Sequence, residues 1–537
     1  MFRRWLLRIF VVTVMVLAIT AWFAPGVLWS LLLIVPLALL GFHDGLQRQH
    51  TVLRNFPIVG HVRYFMEMMR PEIKQYFIES NVDAFPVERE FRSLAYQRSK
   101  NELETLPLGT QRDVYRVGYE WASHSMAAHH TEKEEERVII GGARCSRPYS
   151  ASLLNISAMS YGAISTRAIL ALNQGARLGN FAHNTGEGGI ADEYLQGGGD
   201  IIWQIGTGYF GCRTVNGRFD PDAFARQAEH EAVKMIELKL SQGAKPGHGG
   251  ILPGVKVSAD IARIRLLEPG KTVVSPASHG EFDSPVGLLE FVDRLRSLSG
   301  GKPVGFKLCI GRRTDFFAIC KAMVETGLLP DFITVDGGEG GTGAAPLEFS
   351  NSVGMPARDA WIFVHNALVG SGLRDRLKII ASGKIFSAFD MIRALAIGAD
   401  LCASARGMMF ALGCIQSLRC HANTCPTGIT TQDPALIYGL DVTDKTARVA
   451  NFHKNTMRGF FELLGAMGLE STTQLRPEHI FRRVDDLRVR NLSELYEYLQ
   501  PGQLLNDATL PDDMRKEWRQ ARSDSWVLAP EHGIHGG

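Results

Sequence analysis

Residues 331–346 read DFITVDGGEGGTGAAP, an apolar run that closes on Asp336 and passes straight into glycines. A short, nearly continuous apolar run is the pattern of a strand buried on both faces of a parallel sheet. Glycines at its end let the backbone come close to a ligand, because no Cβ intervenes. Gly338–Gly343 also matches G-x-G-x-x-G, yet a dinucleotide fingerprint needs a helix to start at those glycines. The next residues are AAPLEFSNSVGMP, with Pro346, Gly354 and Pro356, and they read as loop. The stretch is therefore a buried strand feeding a ligand-lining loop.

The same texture recurs on both sides of it. LLNISA (153–158), NFAHNT (180–185), VKMIELKL (233–240), KTVVS (271–275), VGFKLCI (304–310), LKIIAS (377–382) and DLCASA (400–405) read as buried strands separated by helical patterns. With 331–336 they make eight units, the number of a closed (β/α)8 TIM barrel, which typically takes about 250 residues. An open doubly wound sheet would need fewer strands or an insertion. Barrel enzymes carry their chemistry on loops after the strands. Here those ends read SAMSYG, HNTGEGG, KLSQGAKPGHGG, SPASHGEF, KLCIGRR, VDGGEGGTGAAP, ASGK and SARG. Ala158, Met159 and Ser160, at the first of these ends, are candidate cofactor contacts. So are Gly340 and Gly341 in the glycine loop. ASGK and SARG occupy the seventh and eighth positions, where many barrels bind phosphate. Gly383 and Gly407 offer backbone N–H groups there, Arg406 a planar charged fork and Lys384 a point charge.

The rest of the chain bounds the function. A length of 537 residues allows about two to four domains. A formal charge of +2 leaves no basic field for nucleic acid. Residues 5–23 and 27–42 are apolar runs split by Pro25-Gly26, with Pro36 inside the second. They read as two transmembrane helices, the first nearer in length to a bilayer core. Arg3, Arg4, Arg8, Arg48 and Arg54 flank them and place the catalytic part in the cytoplasm, at the inner or plasma membrane. A cleaved signal peptide is the rival reading, though the run lacks a small-residue cleavage site after it. Residues 43–150 read as mostly helical, as in PEIKQYFIES and QRDVYRVGYEWASHS. Residues 151–435 form the barrel, and 436–537 read as a helical extension.

GCIQSLRCHANTCPTG places Cys414, Cys420 and Cys425 within twelve positions, three of the chain's eight cysteines. Closely spaced thiolates in a loop, with Pro426 after the last, suit an iron–sulfur cluster of three irons, or of four with an outside ligand. A Cys3His zinc site using His421 and three buried packing thiols are the alternatives.

Taken together, SAMSYGAIS, HNTGEGG, QGAKPGHGGILPG, VDGGEGGTGAAP and CIQSLRCHANTCPTGITTQ resemble the synthase domain of glutamate synthases over roughly residues 150–435. The resemblance implies an FMN-binding barrel with an adjoining 3Fe–4S cluster. It implies electrons passing from cluster to flavin, and reduction of 2-iminoglutarate, formed from 2-oxoglutarate and ammonia, to L-glutamate. Carried over by position, Cys414, Cys420 and Cys425 are the cluster ligands, and Lys245 lies near the flavin and oxo-acid. Arg265 pairs with a substrate carboxylate, and Glu187 links the ammonia route to the flavin site. Lys307 would stabilise the reduced flavin as a nearby cation. Two positions depart from the family stretch KPGEGGQLPG: His248 stands for the glutamate and Ile251 for the glutamine. Loss of a side chain that hydrogen-bonds substrate redirects specificity. The family's glutaminase domain, nicotinamide domain and C-terminal β-helix are not seen, so ammonia and electrons are expected from ammonium, ferredoxin or separate reductase and amidotransferase subunits. An N-methylglutamate-synthase-like enzyme and a non-catalytic electron-transfer subunit are the alternative functions.

Overall fold

Eight short parallel strands pair in chain order and close on themselves: β1 (Leu154–Ile156), β2 (His183–Asn184), β3 (Ile201–Ile205), β4 (Val233–Lys239), β5 (Val304–Cys309), β6 (Phe332–Asp336), β7 (Lys378–Ser382) and β8 (Leu401–Ser404). The pairing runs unbroken around the ring, β8 meeting β1 through Cys402–Leu154 and Ser404–Ile156. This computed structural model describes residues 2–102, 104–131 and 133–529, and of residues 2–7 and 9 the backbone alone. The (β/α)8 barrel expected from the strand count is present. One of its members differs from the sequence reading. KTVVS is a strand only at Val273–Val274, paired antiparallel with Ile251–Leu252 in an insertion after β4. The true third strand is IIWQI, buried at every position.

The helical ring is α1 (Thr166–Leu178), α2 (Asp192–Gly197), α3 (Pro221–Ala228), α4 (Pro285–Leu298), α5 (Arg313–Thr326), α6 (Ala357–Gly370), α7 (Ala388–Ala396) and α8 (Val442–Ala466). Their starts are chemically marked. Ser165 accepts from the Ala168 N–H at α1, Ser284 precedes Pro285 at α4, and Ser387 with Asp390 forms a capping box at α7. α8 packs on α1 and α7 and so covers the β8–β1 seam. Gly175 permits that approach, because a Cβ there would overlap Val449.

An antiparallel pair, Arg137–Ile140 with Tyr149–Ser152, plugs the N-terminal end of the barrel. Its Ile140, Tyr149 and Ala151 pack on Ile202, Met235, Phe332, Ile380 and Leu401. Burying the larger of these side chains is worth about 1.5–3 kcal/mol each. With one end sealed, the opening lies at the strand C-termini.

Contacts divide the chain into Met1–Arg89 and Glu90–Gly537. In the first unit a helix spans Phe2–Phe23, and an apolar helical run, Pro25–Leu46, with a stretch of mean hydropathy 2.1 none of which is buried, is long and apolar enough to cross a membrane. The sequence reading favoured the first run. Its described apolar stretch, Phe10–Phe23, is the shorter one, and Pro36 does not interrupt the second. The side chains of Arg3 and Arg4 lie outside the described residues. Further helices span Thr51–Asn55, Gly60–Ile73 and Arg89–Lys100. Residues 101–150 contain no helix among the described residues, contrary to the helical reading of QRDVYRVGYEWASHS. Glu120–Ala122 pairs there with Ile480–Arg483 from the far end of the chain. Partners that distant in sequence leave no local periodic signal.

Candidate functional site

The β5–β8 side of the mouth is a cleft lined by Ser157, Ala158, Lys307, Asp336, Gly340, Gly341, Gly383, Lys384, Phe386 and Arg406. Its floor is a chain of buried polar groups. Lys307 Nζ lies 3.3 Å from Asp336 Oδ2. The same carboxylate accepts from the Gly243 N–H (3.0 Å) and the Ser382 hydroxyl (3.1 Å). Burial alone would raise the Asp336 carboxyl, but Lys307 and these donors outweigh it and leave it below the ordinary range. Burial likewise opposes the Lys307 cation, and Asp336 with Glu237 overcomes it. Glu237 is itself satisfied, accepting from Asn184 (2.8 Å), Gln204 (2.6 Å) and Thr334 (2.6 Å).

The glycines of this cleft cannot be replaced freely. A Cβ at Gly341 would come within 3.1 Å of the Arg406 side chain, and one at Gly340 within 3.1 Å of Gly243 Cα. Gly383 has φ +119°, which L side chains rarely adopt. Arg406 donates to the Glu339 carbonyl at 2.8 Å and so ties the eighth strand end to the glycine loop. A glycine-walled cleft with a lysine and an arginine at its rim has the donor chemistry for an anionic, phosphate-bearing group. The FMN residues expected from sequence thus converge in part. Ala158, Lys307, Gly340, Gly341, Gly383, Lys384 and Arg406 line the cleft. Met159, Ser160 and Gly407 do not. The Met159 carbonyl accepts from Tyr194 (3.1 Å), and Ser160 supplies the carbonyl of a turn to Ala163 and Ile164. Gly407 packs against Ser404 and Phe452. The glycine loop runs into a helix, but only from Leu347 to Ser352, which corrects the all-loop reading and leaves the dinucleotide motif unfulfilled.

Across the mouth a second pocket is lined by Glu187, Thr207, Lys239, Gln242, Lys245, Gly247, Gly249 and Ala277. Lys239 Nζ donates to Glu187 Oε1 at 2.8 Å. The Glu187 carboxylate sits between two backbones: a Cβ at Gly206 or Gly250 would overlap it. Burial works against its charge, but Lys239, then Arg265 and Lys245, more than compensate, so it stays ionised. Lys245 Nζ donates to the Ala344 carbonyl at 2.7 Å, bridging to the glycine loop. Burial and the neighbouring Lys239 cation push its pKa down to about 8, with Glu187 only partly opposing them. His279 accepts from the Tyr209 hydroxyl (3.1 Å) and donates to the Lys239 carbonyl (2.8 Å). Burial brings its pKa to about 4, so the ring is neutral. Arg265 is buried behind this group, donating to the Tyr161 carbonyl, with its guanidinium 5.0 Å from the Phe210 ring. His248 stacks edge-on against Phe349 at 5.0 Å, and Ile251 pairs with Val274 in the insertion hairpin.

Sequence reasoning missed Lys239, His279, Asp336 and Glu237. Lys239 stands six positions before Lys245, at a strand's last residue, and that placement was the available signal. Glu120 was also missed. Its carboxylate meets Arg358 at 2.7 Å and Arg393 at 2.9 Å. Arg393 also holds Asp390 (3.0 Å), which caps Phe386 and Ser387 at the edge of the cleft.

Cys414, Cys420 and Cys425 lie on one loop and interact electrically. Among the described residues no three His, Cys, Asp or Glu side chains are gathered closely enough to hold a metal ion. The Cys425 thiol is raised by burial, but hydrogen bonds with Thr427 and Thr430 outweigh that and leave it below the usual range. Lys256, buried nearby, donates to the Thr430 carbonyl at 2.6 Å and feels Cys420 and Cys425. A larger cavity lies elsewhere, at the N-terminal ends of β7 and β8, and its Arg374 is already paired with Asp400 at 2.8 Å.

Residues 110–470 match the family model for the conserved region in glutamate synthase. The glutamate synthase large subunit-like protein YerD of Bacillus subtilis is 38% identical over 86% of this chain and 95% of its own length. The archaeal glutamate synthase [NADPH] of Methanocaldococcus jannaschii is 37% identical over 60% of each chain, so this protein spans less than two thirds of that relative. A solved mandelate oxidase is similar at 15% identity and TM-score 0.41, over 70% of this chain and 88% of that one, and adds nothing to the strand pairing. By the family match and the YerD similarity, the chain belongs to the FMN-binding glutamate synthase family of oxidoreductases.

Proposed function

We propose that this protein reduces an imine formed from a 2-oxoglutarate-like oxo-acid and ammonia to the amino acid, as a glutamate-synthase-type enzyme. The observation that carries the reading is the pairing of a glycine-walled, basic-rimmed cleft with a neighbouring pocket holding two lysines against one carboxylate. Lys384, Arg406 and the backbones of Gly340, Gly341 and Gly383 would hold the phosphate end of FMN, and Lys307 would face its ring. When bound, FMN supplies two-electron reduction of a carbon–nitrogen double bond.

The chain's own groups do the rest. Lys239 and Lys245 attract and orient substrate carboxylates, since a pocket with excess positive charge favours an anion. Lys245, titrating near 8, is also able to deliver a proton at Nζ. Glu187, ionised and clamped between glycines, fixes Lys239 and offers an anionic acceptor for an ammonium-like group. Arg265 supports Glu187 through space and holds the Tyr161 loop.

Cys414, Cys420 and Cys425 share one loop but are not gathered into a metal site in this structure; a 3Fe–4S cluster is proposed to draw the three thiols together, and no step is derived through it. The electron donor is proposed to be ferredoxin or a separate subunit. The Pro25–Leu46 helix supports membrane attachment, and the basic residues after it support a cytoplasmic catalytic part.

The test is a spectrum of detergent-purified protein before and after dithionite, with iron analysis. Flavin absorption that bleaches, and returns on adding 2-oxoglutarate plus ammonium, is expected. Return only with 2-oxoglutarate plus methylamine, whose N-methylimine would take the two electrons, would assign the N-methylglutamate-synthase-like activity instead. Absence of flavin would end the proposal.

A further inference from the structure

The barrel chemistry makes no use of residues 47–78. In the helix Gly60–Ile73, Val62, Phe65, Met66, Met69 and Ile73 recur at helical spacing and form one apolar stripe. Arg63, Glu67, Arg70 and Lys74 recur on the adjoining stripe. A soluble helix buries its apolar stripe, yet here Phe65 is 51% exposed, Met66 51% and, in the π-helical turn that continues the chain, Phe77 85%.

Two further observations identify the occupant. Asp44, fully buried near the end of the apolar run Pro25–Leu46, accepts from the Ile58 N–H at 2.9 Å and pairs with His61 Nε2 at 2.9 Å. The amphipathic helix therefore begins at the level where the apolar helix ends. That run, at about 1.5 Å per residue, matches a hydrocarbon core of roughly 30 Å. Residues 47–78 also carry Arg48, Arg54, Arg63, Arg70 and Lys74 against only Glu67 and Glu72. An apolar stripe beside a basic one is the pattern of a helix lying in a membrane interface with anionic headgroups.

We propose that Gly60–Ile78 is a second, surface-lying membrane element, whose apolar stripe enters one leaflet while Arg63, Arg70 and Lys74 take anionic lipid headgroups. This rests on the membrane reading above. The test uses the full chain in vesicles of phosphatidylcholine with or without phosphatidylglycerol, with a photoreactive phenylalanine analogue in place of Phe65 or, as the control, of Glu67. Lipid adducts several-fold higher at position 65 than at 67, and falling when phosphatidylglycerol is omitted, are expected. Equal yields at the two positions, or no dependence on phosphatidylglycerol, would overturn the assignment. Crosslinks from position 65 to a second copy of the chain would overturn it in favour of self-association. Protein that does not float with either vesicle would refute the membrane reading itself, which keeps the two failures apart.

Discussion

On the β5–β8 side of the mouth, Lys307 meets Asp336 at 3.3 Å, a buried cation matched by its own counter-charge. On the β2–β4 side, Lys239 and Lys245 share the single carboxylate of Glu187. The first arrangement is electrically closed, which suits a wall that holds a resident group. The second is left short of negative charge, which suits a pocket whose missing partner arrives with each turnover. Burial is similar on both sides, so the difference lies in stoichiometry of charge.

The strongest way to break the comparison is Asp336→Ala. It strands Lys307 as a buried cation and removes the acceptor for Gly243 and Ser382, at a cost of about 3–5 kcal/mol in chemical denaturation. Glu187→Ala should cost less stability, because only the Lys239 ammonium loses its acceptor there, against a lysine and two further donors at Asp336; an equal loss would refute the contrast. Gly250→Ala probes the open side without changing a charge. Its Cβ must displace the Glu187 carboxylate, and a misplacement of that size lowers kcat/KM by up to about a hundredfold with the melting temperature little changed.

Lys245 gives the contrast a pH signature. Its pKa falls from 10.5 unfolded to about 8 folded, so between those values the unfolded chain binds the extra proton and stability rises with pH. Anion binding runs the other way, weakening as the cation is lost above pH 8. KM for the oxo-acid should therefore climb through that range while the fold becomes more stable, and Lys245→Met should flatten both trends. The smallest effect expected is from Ile251→Gln, which adds a polar group within the insertion hairpin and changes the preference between oxo-acids by up to about tenfold in kcat/KM.

Much of this was legible in the sequence because glycine is informative where backbone meets ligand. Gly340, Gly341 and Gly383 marked the cleft, and Lys245 and Lys307 stood out beside such loops. IIWQI carries the same continuous apolar texture as the strands read from sequence, but KTVVS fills its place in the count of eight. KTVVS has good strand chemistry, but only pairing decides whether a strand joins the barrel. Lys239, Glu237 and Asp336 lie within or at the ends of strands, and their roles depend on register between strands far apart in sequence. Glu120 depends on a strand partner more than three hundred positions away.

The helix that covers the β8–β1 seam arrives late in the chain, after the cysteine loop. His453 on α8 reaches Ser152 (3.0 Å) and the Leu154 carbonyl (3.1 Å), clasping the first strand from the last helix of the ring. A ribosome must therefore deliver residues through about 466 before the cylinder can be sealed. Until then the seam stays uncovered, and before β8 emerges at Leu401–Ser404 the nascent barrel exposes its own first strand as an adhesive edge, which a gene fragment cut ahead of that strand would inherit permanently.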